Sequence, residues 1–206
     1  MDLDPATLSP REAYQLLITS IVPRPIAFVS TISAQGVTNA APFSFFTALN
    51  AQPALLAFSV ISPGGEEKDT LRNVRATRDF VINIVSEDLA DAMNTASGDF
   101  PADVSEIELT NLTAMPSVKV KAPWIAESPV SMECRLTQII EISDSFVSII
   151  MGEAVLFHVR DGIYNEGRLD ETQVRAIGAL GTNSYSRSGE TFGLVRPSIR
   201  PPEPSR

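Results

Sequence analysis

The 206-residue chain carries 16 Lys and Arg against 25 Asp and Glu, a formal charge of −9 at neutral pH. That length holds one domain with a full core, and the acidic balance excludes the basic face that a nucleic acid or an anionic membrane surface requires. Cys134 is the sole cysteine, so no intrachain disulfide forms and the thiol fits a reducing, cytoplasmic setting. The acidic start MDLDPATLSPREA lacks a basic-then-apolar signal, and apolar runs such as 54–58 are too short to span a bilayer.

The first predicted element is a helix. Ser9 is placed to cap it, Pro10 takes the first helical position and Glu12 completes a capping box. Tyr14, Leu17, Ile18 and Ile21 follow at helical spacing until Pro23-Arg24-Pro25 ends the run. Residues 26–32, rich in β-branched and aromatic side chains, predict a strand, with Ala34-Gln35-Gly36 as a hairpin-like turn. Residues 37–46 predict a second extended stretch, and Pro42, which donates no ladder hydrogen bond, predicts an edge or a bulge. Residues 54–60 predict a third strand and 62–65 a loop. Asp69 then reads as the cap of a helix to Thr77, with Leu71 and Val74 inward and Arg72, Arg75 and Arg78 outward. A fourth strand over 80–85 leads to Ser86 as cap of a helix over 87–95. Residues 97–110 read as irregular and acidic, with a helical turn at 103–106. Residues 129–142 and 146–159 predict two long strands turning at Asp144-Ser145. Asp161-Gly162, a short helix over 170–175 and a glycine-marked, loop-rich end complete the chain. Six or more strands with short helices between them predict a mainly β fold, a β-barrel with helical insertions. It forms one domain over 1–197, followed by a Pro-rich tail over 198–206.

One stretch organises the rest. From Pro25 to Gly65 there is no Asp, Glu, Lys, Arg or His. Such a run is buried, paired with another chain or packed on a ligand. Its many Ser, Thr and Asn side chains among small apolar residues suit a planar, polar-edged ligand, or equally a polar-lined subunit interface. Charge returns at Glu66, Glu67, Lys68 and Asp69. Lys68 precedes Asp69-Thr70 at a helix start, where free N–H groups and the helix dipole favour an anion. A loop carrying Ser62, Gly64, Gly65, Lys68 and Thr70 therefore fits a phosphate; the plainer reading is a capped helix with a solvated lysine.

Standard catalytic constellations are missing. One His and one Cys do not make a zinc site of ordinary composition. His158, in FHVR, reads as a structural strand residue rather than a base, and Cys134 as a buried one. Glu66/Glu67 and Glu106/Glu108 read as solvated surface. There is no dinucleotide-binding glycine fingerprint and no P-loop. A chain short of acids and bases but rich in neutral polar groups suits a protein that leaves the chemistry to an organic cofactor.

The segments VPRPIAFVST, GVTNAAPFSFF, SPGGEEKDTLRN and DFVINIV, followed by AESPVSMEC, IMGEAV and a final RP, resemble the flavin reductase-like, FMN-binding split-barrel family over residues 9–197. That family includes flavoredoxins and the reductase components of two-component monooxygenases. The resemblance implies a split barrel of antiparallel strands acting as a homodimer, with FMN near the subunit interface. It implies that Asn39, Ala40, Ala41, Pro42, Phe43, Ser44, Phe45 and Phe46 line the isoalloxazine, with the Ser44 hydroxyl at the ring's polar edge. Ser30 and Thr31 would lie near the ribityl-phosphate, Ser62, Lys68 and Thr70 on the phosphate, and Arg24 close to the flavin. Small residues at 40 and 41 let a flat ring lie against the backbone, the plainer reading being close strand packing. For two of the three phenylalanines the plainer reading is core or dimer contact. Where relatives carry an Arg before a Leu-Gly pair, Ala179 precedes Leu180-Gly181, with Tyr185 retained; this departure bears on substrate or nicotinamide binding.

The function implied by the resemblance is an FMN-dependent oxidoreductase. NAD(P)H passes hydride to the flavin, which passes electrons to an acceptor such as a monooxygenase or another redox protein. No side-chain acid or base is needed, so no catalytic side chain is named. Two other readings stand beside it: a non-enzymatic FMN electron carrier, and a dimeric interaction module without flavin. Steady-state NAD(P)H oxidation with free flavin separates the first from the second, and FMN uptake separates both from the third.

Overall fold

A computed structural model describes residues 1–143, 145–189 and 191–195. The expected turn residue Asp144 and the tail 198–206 lie outside the described residues. The capping box forms as expected: the Ser9 hydroxyl accepts from the Glu12 N–H at 3.3 Å, and the Glu12 carboxylate accepts from the Ser9 N–H at 2.9 Å. It starts α1 (Pro10–Ser20). In chain order follow β1 (Arg24–Pro25), β2 (Ala27–Ile32), β3 (Thr38–Phe43), β4 (Phe46–Ala51), β5 (Ala54–Ile61), α2 (Asp69–Thr77), β6 (Asp79–Ile84), α3 (Ala90–Thr95) and α4 (Glu106–Leu109). After them come β7 (Ala114–Met115), β8 (Trp124–Ile125), β9 (Val130–Glu141), β10 (Val147–Val159), β11 (Tyr164–Asn165), β12 (Arg168–Leu169), α5 (Glu171–Val174), β13 (Ile177–Ala179) and β14 (Tyr185–Arg187).

The main sheet has seven strands in the order β3-β2-β6-β9-β10-β5-β4, all antiparallel. It curls until its two ends meet. The rings of Phe43 on β3 and Phe58 on β5 stand 5.0 Å apart, and Ser59 donates its N–H to the Phe45 carbonyl at 2.9 Å. Register shifts between Met151 and Gly152 and between Ala154 and Leu156 mark bulges in β10 against β9, the device that lets long strands bend. At the first shift the Phe80 ring presses on Gly152, where a Cβ would lie 2.5 Å from the ring's Cζ.

Side chains alternate across a strand, and both faces of the central strands are covered. Ala27, Val29, Phe80 and Ile82 enter the barrel core with Phe58, Met132 and Ile150. Ile26, Phe28 and Val85 enter a second core with Leu89, Met93, Ile107, Ile125 and Ile177, under α3, α4 and β13. Asn83 joins the layers with all four hydrogen bonds its side chain can make: to the Phe28 carbonyl, to Ser30 Oγ, and from the Ile125 N–H and Ser131 Oγ.

The barrel with helical insertions is as expected, and several local expectations change. Phe46–Ala51 is a strand of its own. Lys68, without a side-chain cap bond, holds the cap position of α2, and Asp69 sits inside the helix, paired with Arg72. Ser86 makes no cap bond, and its segment splits into a 3-10 turn over Glu87–Leu89 and α3. The turn expected at 103–106 is displaced to α4. The glycine-marked end contains β13, which pairs with β1, and β14, which pairs with β13. Of the apolar face of α1 only Ile18 is buried, while Tyr14, Leu17 and Ile21 are exposed. Among the described residues no helix is long and apolar enough to cross a membrane.

Candidate functional site

A groove of about 490 Å³ lies between β3, the N-terminus of α2, the segment 97–102 and α4. Asn39, Ala41 and Phe43 alternate along β3 so that one face of the strand becomes a wall. Lys68, Asp69 and Thr70 form the opposite rim. The first turn of any helix has N–H groups without intrahelical acceptors, and none here is capped by the side chain of Lys68. The rim thus combines open backbone donors, the positive end of a helix and an ammonium, the elements of an anion seat.

A buried polar network fixes the wall. Asn39 Oδ1 accepts from Thr31 Oγ1 and from Thr70 Oγ1, each at 3.1 Å. Asn39 Nδ2 donates to Glu106 Oε2 at 2.9 Å, and the Ala40 N–H donates to the same oxygen at 3.1 Å. Asn73 Nδ2 donates to Thr31 Oγ1 at 3.0 Å. Four elements are thereby tied at one end of the groove. Glu106, expected on the solvated surface, is 5% exposed, because two donors of β3 replace its water. On the open side Lys68 Nζ donates to Asp99 Oδ1 at 2.5 Å. Hydrogen bonding to the ammonium, and then its charge, hold the Asp99 carboxyl below the ordinary carboxylate range.

The residues singled out in the sequence divide into groups. Asn39, Ala41, Pro42, Phe43, Lys68 and Thr70 line the groove. Thr31 supports them from behind through Asn39, and Ala40 through its N–H to Glu106. Arg24, Ser44 and Phe45 sit together elsewhere, at the end of α1. The Arg24 guanidinium is buried and donates to the carbonyls of Ile18, Ile21 and Gly181, closing the C-terminus of α1, while its Nε donates to Ser44 Oγ at 3.4 Å. Phe45 packs on Tyr14 with ring centroids 6.4 Å apart. Ala179 pairs with Arg24 on one side and with Tyr185 on the other, so the departure from the family pattern lies beside this cluster. Ser30 and Ser62 do not reach the groove. Ser30 donates to the Pro123 carbonyl at 2.5 Å within the interior, and Ser62 lines a smaller hollow with Arg75 and Phe146.

Sequence reasoning missed Glu106, Asn73 and Asp99. Asn73 carried a signal, since a polar residue three positions after Thr70 lies on the same helix face. His158 is a packed strand residue, stacked on Trp124 at 4.5 Å and 2.6 Å from Glu133 Oε1. Burial pushes the Cys134 thiol far up, which leaves it unreactive.

Three relatives place the chain. It is 41% identical over 204 residues to an uncharacterized protein of Halalkalibacterium halodurans, covering 97% of this chain and 98% of that one. It superposes on the crystal structure of nitrilotriacetate monooxygenase component B from Bacillus cereus with a TM-score of 0.90 at 34% identity, over 94% of this chain and 98% of that one. With the 2-nitrobenzoate 2-nitroreductase NbaA of Pseudomonas fluorescens the TM-score is 0.84 at 30% identity, over 98% and 100%. Residues 19–177 match the model of the flavin reductase like domain. The barrel, its groove and these matches agree: the chain belongs to the flavin reductase-like family of split-barrel proteins.

Proposed function

We propose that the protein is an FMN-dependent oxidoreductase that takes hydride from NAD(P)H and passes electrons to an acceptor. The observation that carries this reading is the anion seat at Lys68 and the open start of α2, beside a wall of neutral polar and apolar groups on β3. The residues fit the group. Lys68 and the free N–H groups around Thr70 supply donors for a terminal phosphate, Ala41 leaves room for a flat ring, and Phe43 offers it an apolar face. The Thr70 hydroxyl already donates to Asn39, which leaves its backbone N–H as the donor for the ligand. Bound flavin supplies the redox chemistry. The chain's own part is to hold it in one orientation against a fixed wall, which the Asn39–Glu106 network provides. Arg24 and Ser44 stand at the far end of the 39–46 stretch, where they would meet the polar edge of the ring.

The exposed face of α1, with Tyr14, Leu17 and Ile21, and exposed Leu49 on β4 support a homodimer. The kinship with a monooxygenase component B supports a partner redox protein as the electron acceptor.

Titrating FMN and riboflavin into the protein and into Lys68→Met tests the reading. A charge-assisted hydrogen bond is worth about 1.5–3 kcal/mol, so FMN should weaken by about tenfold or more while riboflavin stays nearly unchanged. Equal losses for both would mean a packing effect and remove the phosphate from this seat. In parallel, the flavin-loaded protein should bleach at its visible absorption band on addition of NADH or NADPH.

A further inference from the structure

Lys68 meets a carboxylate at the place where a ligand phosphate would sit. Lys68 stands on the α2 rim of the groove, and Asp99, in the segment between α3 and α4, lines it too. The two side chains meet at 2.5 Å. Asp99 is 88% exposed, against 43% for Lys68, so burial does not hold it there. Backbone hydrogen bonds around the segment are local: Ser97 and Gly98 to the end of α3, and Val104 to Pro101. Among the described residues, the Lys68–Asp99 pair is the one polar tie between residues 97–102 and the α2 rim.

We propose that Asp99 is a built-in competitor for the anion seat: a ligand phosphate takes Lys68 only by displacing the Asp99 carboxylate, which unclips the 97–102 segment from α2. This rests on the phosphate reading of the groove. A site that is free only part of the time binds with its affinity reduced by that fraction. Removing the competitor raises affinity only for ligands that use Lys68. An exposed ion pair holds weakly, so the gain is modest: Asp99→Asn is expected to bind FMN about two- to fivefold tighter and riboflavin unchanged.

Fluorescence titrations of FMN and riboflavin test this on the parent chain, Lys68→Met, Asp99→Asn, the double variant Lys68→Met/Asp99→Asn, and Asp103→Asn. Asp103 is an exposed acid near the same segment and controls for net charge. The proposal requires that Asp99→Asn strengthens FMN, that this gain disappears when Lys68 is Met, and that Asp103→Asn gives less. A gain that persists in the double variant, or that Asp103→Asn equals, reduces the effect to long-range repulsion and overturns the proposal. Weaker FMN binding by Asp99→Asn also overturns it, since Asp99 would then be orienting Lys68 for the ligand. These outcomes leave the phosphate reading intact if Lys68→Met alone narrows the preference for FMN over riboflavin. If Lys68→Met leaves that preference untouched, the phosphate reading fails and this inference fails with it.

Discussion

Glu133 lies in the first half of β9 with no solvent exposure. It accepts from the Val118 N–H at 2.7 Å, from the Lys119 N–H at 2.5 Å and from His158 at 2.6 Å. Burial pushes its carboxyl up, but the two backbone donors and the imidazole outweigh burial and hold it below the ordinary carboxylate range. One side chain thus anchors the segment before β8 to the barrel, and Trp124 covers the His158 ring. The sign of the pH dependence follows. Because the folded carboxyl ionises below its unfolded value, its contribution is complete above about pH 4.3 and is lost as the pH falls through the lowered folded value. Glu133→Gln should therefore reduce stability at pH 7 by about 1–3 kcal/mol. In thermal melts at successively lower pH the gap from the parent chain should narrow through the carboxylate range. A gap independent of pH would show that the charge on Glu133 plays no part.

The elements legible in the sequence are those whose cause is local. The Ser9–Glu12 box, the apolar runs of β2, β5 and β6, and the long β9–β10 pair are written in adjacent residues. The second extended stretch reaches only Phe46, the first residue of β4, because the rest of β4 is exposed and leaves no alternation to read. β13 exists through pairing with β1, far away in sequence, and β14 is added to that sheet through β13. The candidate site divides the same way. Lys68 and Thr70 were visible as a helix start, whereas Glu106 and Asp99 are acids in an acidic segment, and only the fold brings one against β3 and the other against Lys68. Gly152 belongs to this second kind. A methyl group there would lie 2.5 Å from Phe80 Cζ and 3.1 Å from the Arg135 carbonyl oxygen, and Phe80 is itself fully buried. Gly152→Ala should cost about 1–3 kcal/mol through overpacking, measured as a lower denaturation midpoint in urea. An unchanged midpoint would mean that the bulge in β10 absorbs the methyl.

For the molecule as a whole, the proposed homodimer makes a direct prediction. Light scattering at micromolar concentration should give twice the chain mass, and Leu17→Glu on the exposed face of α1 should halve it while leaving the circular dichroism spectrum unchanged. A monomer mass for the parent chain, with FMN present, would assign the exposed apolar face to some other partner. The position of β3 carries a different consequence. As the outermost strand of the sheet, it would normally offer a row of free amides to any extended chain that met it, an invitation to aggregation. Outward-facing amides occur at alternate residues. The one at Ala40 is already held by Glu106, and the next position on that side is Pro42, which has no N–H to give. Of the three outward positions of β3, 38, 40 and 42, the last two thus offer no free amide, which leaves too few in register for a copy of the chain to pair along this edge.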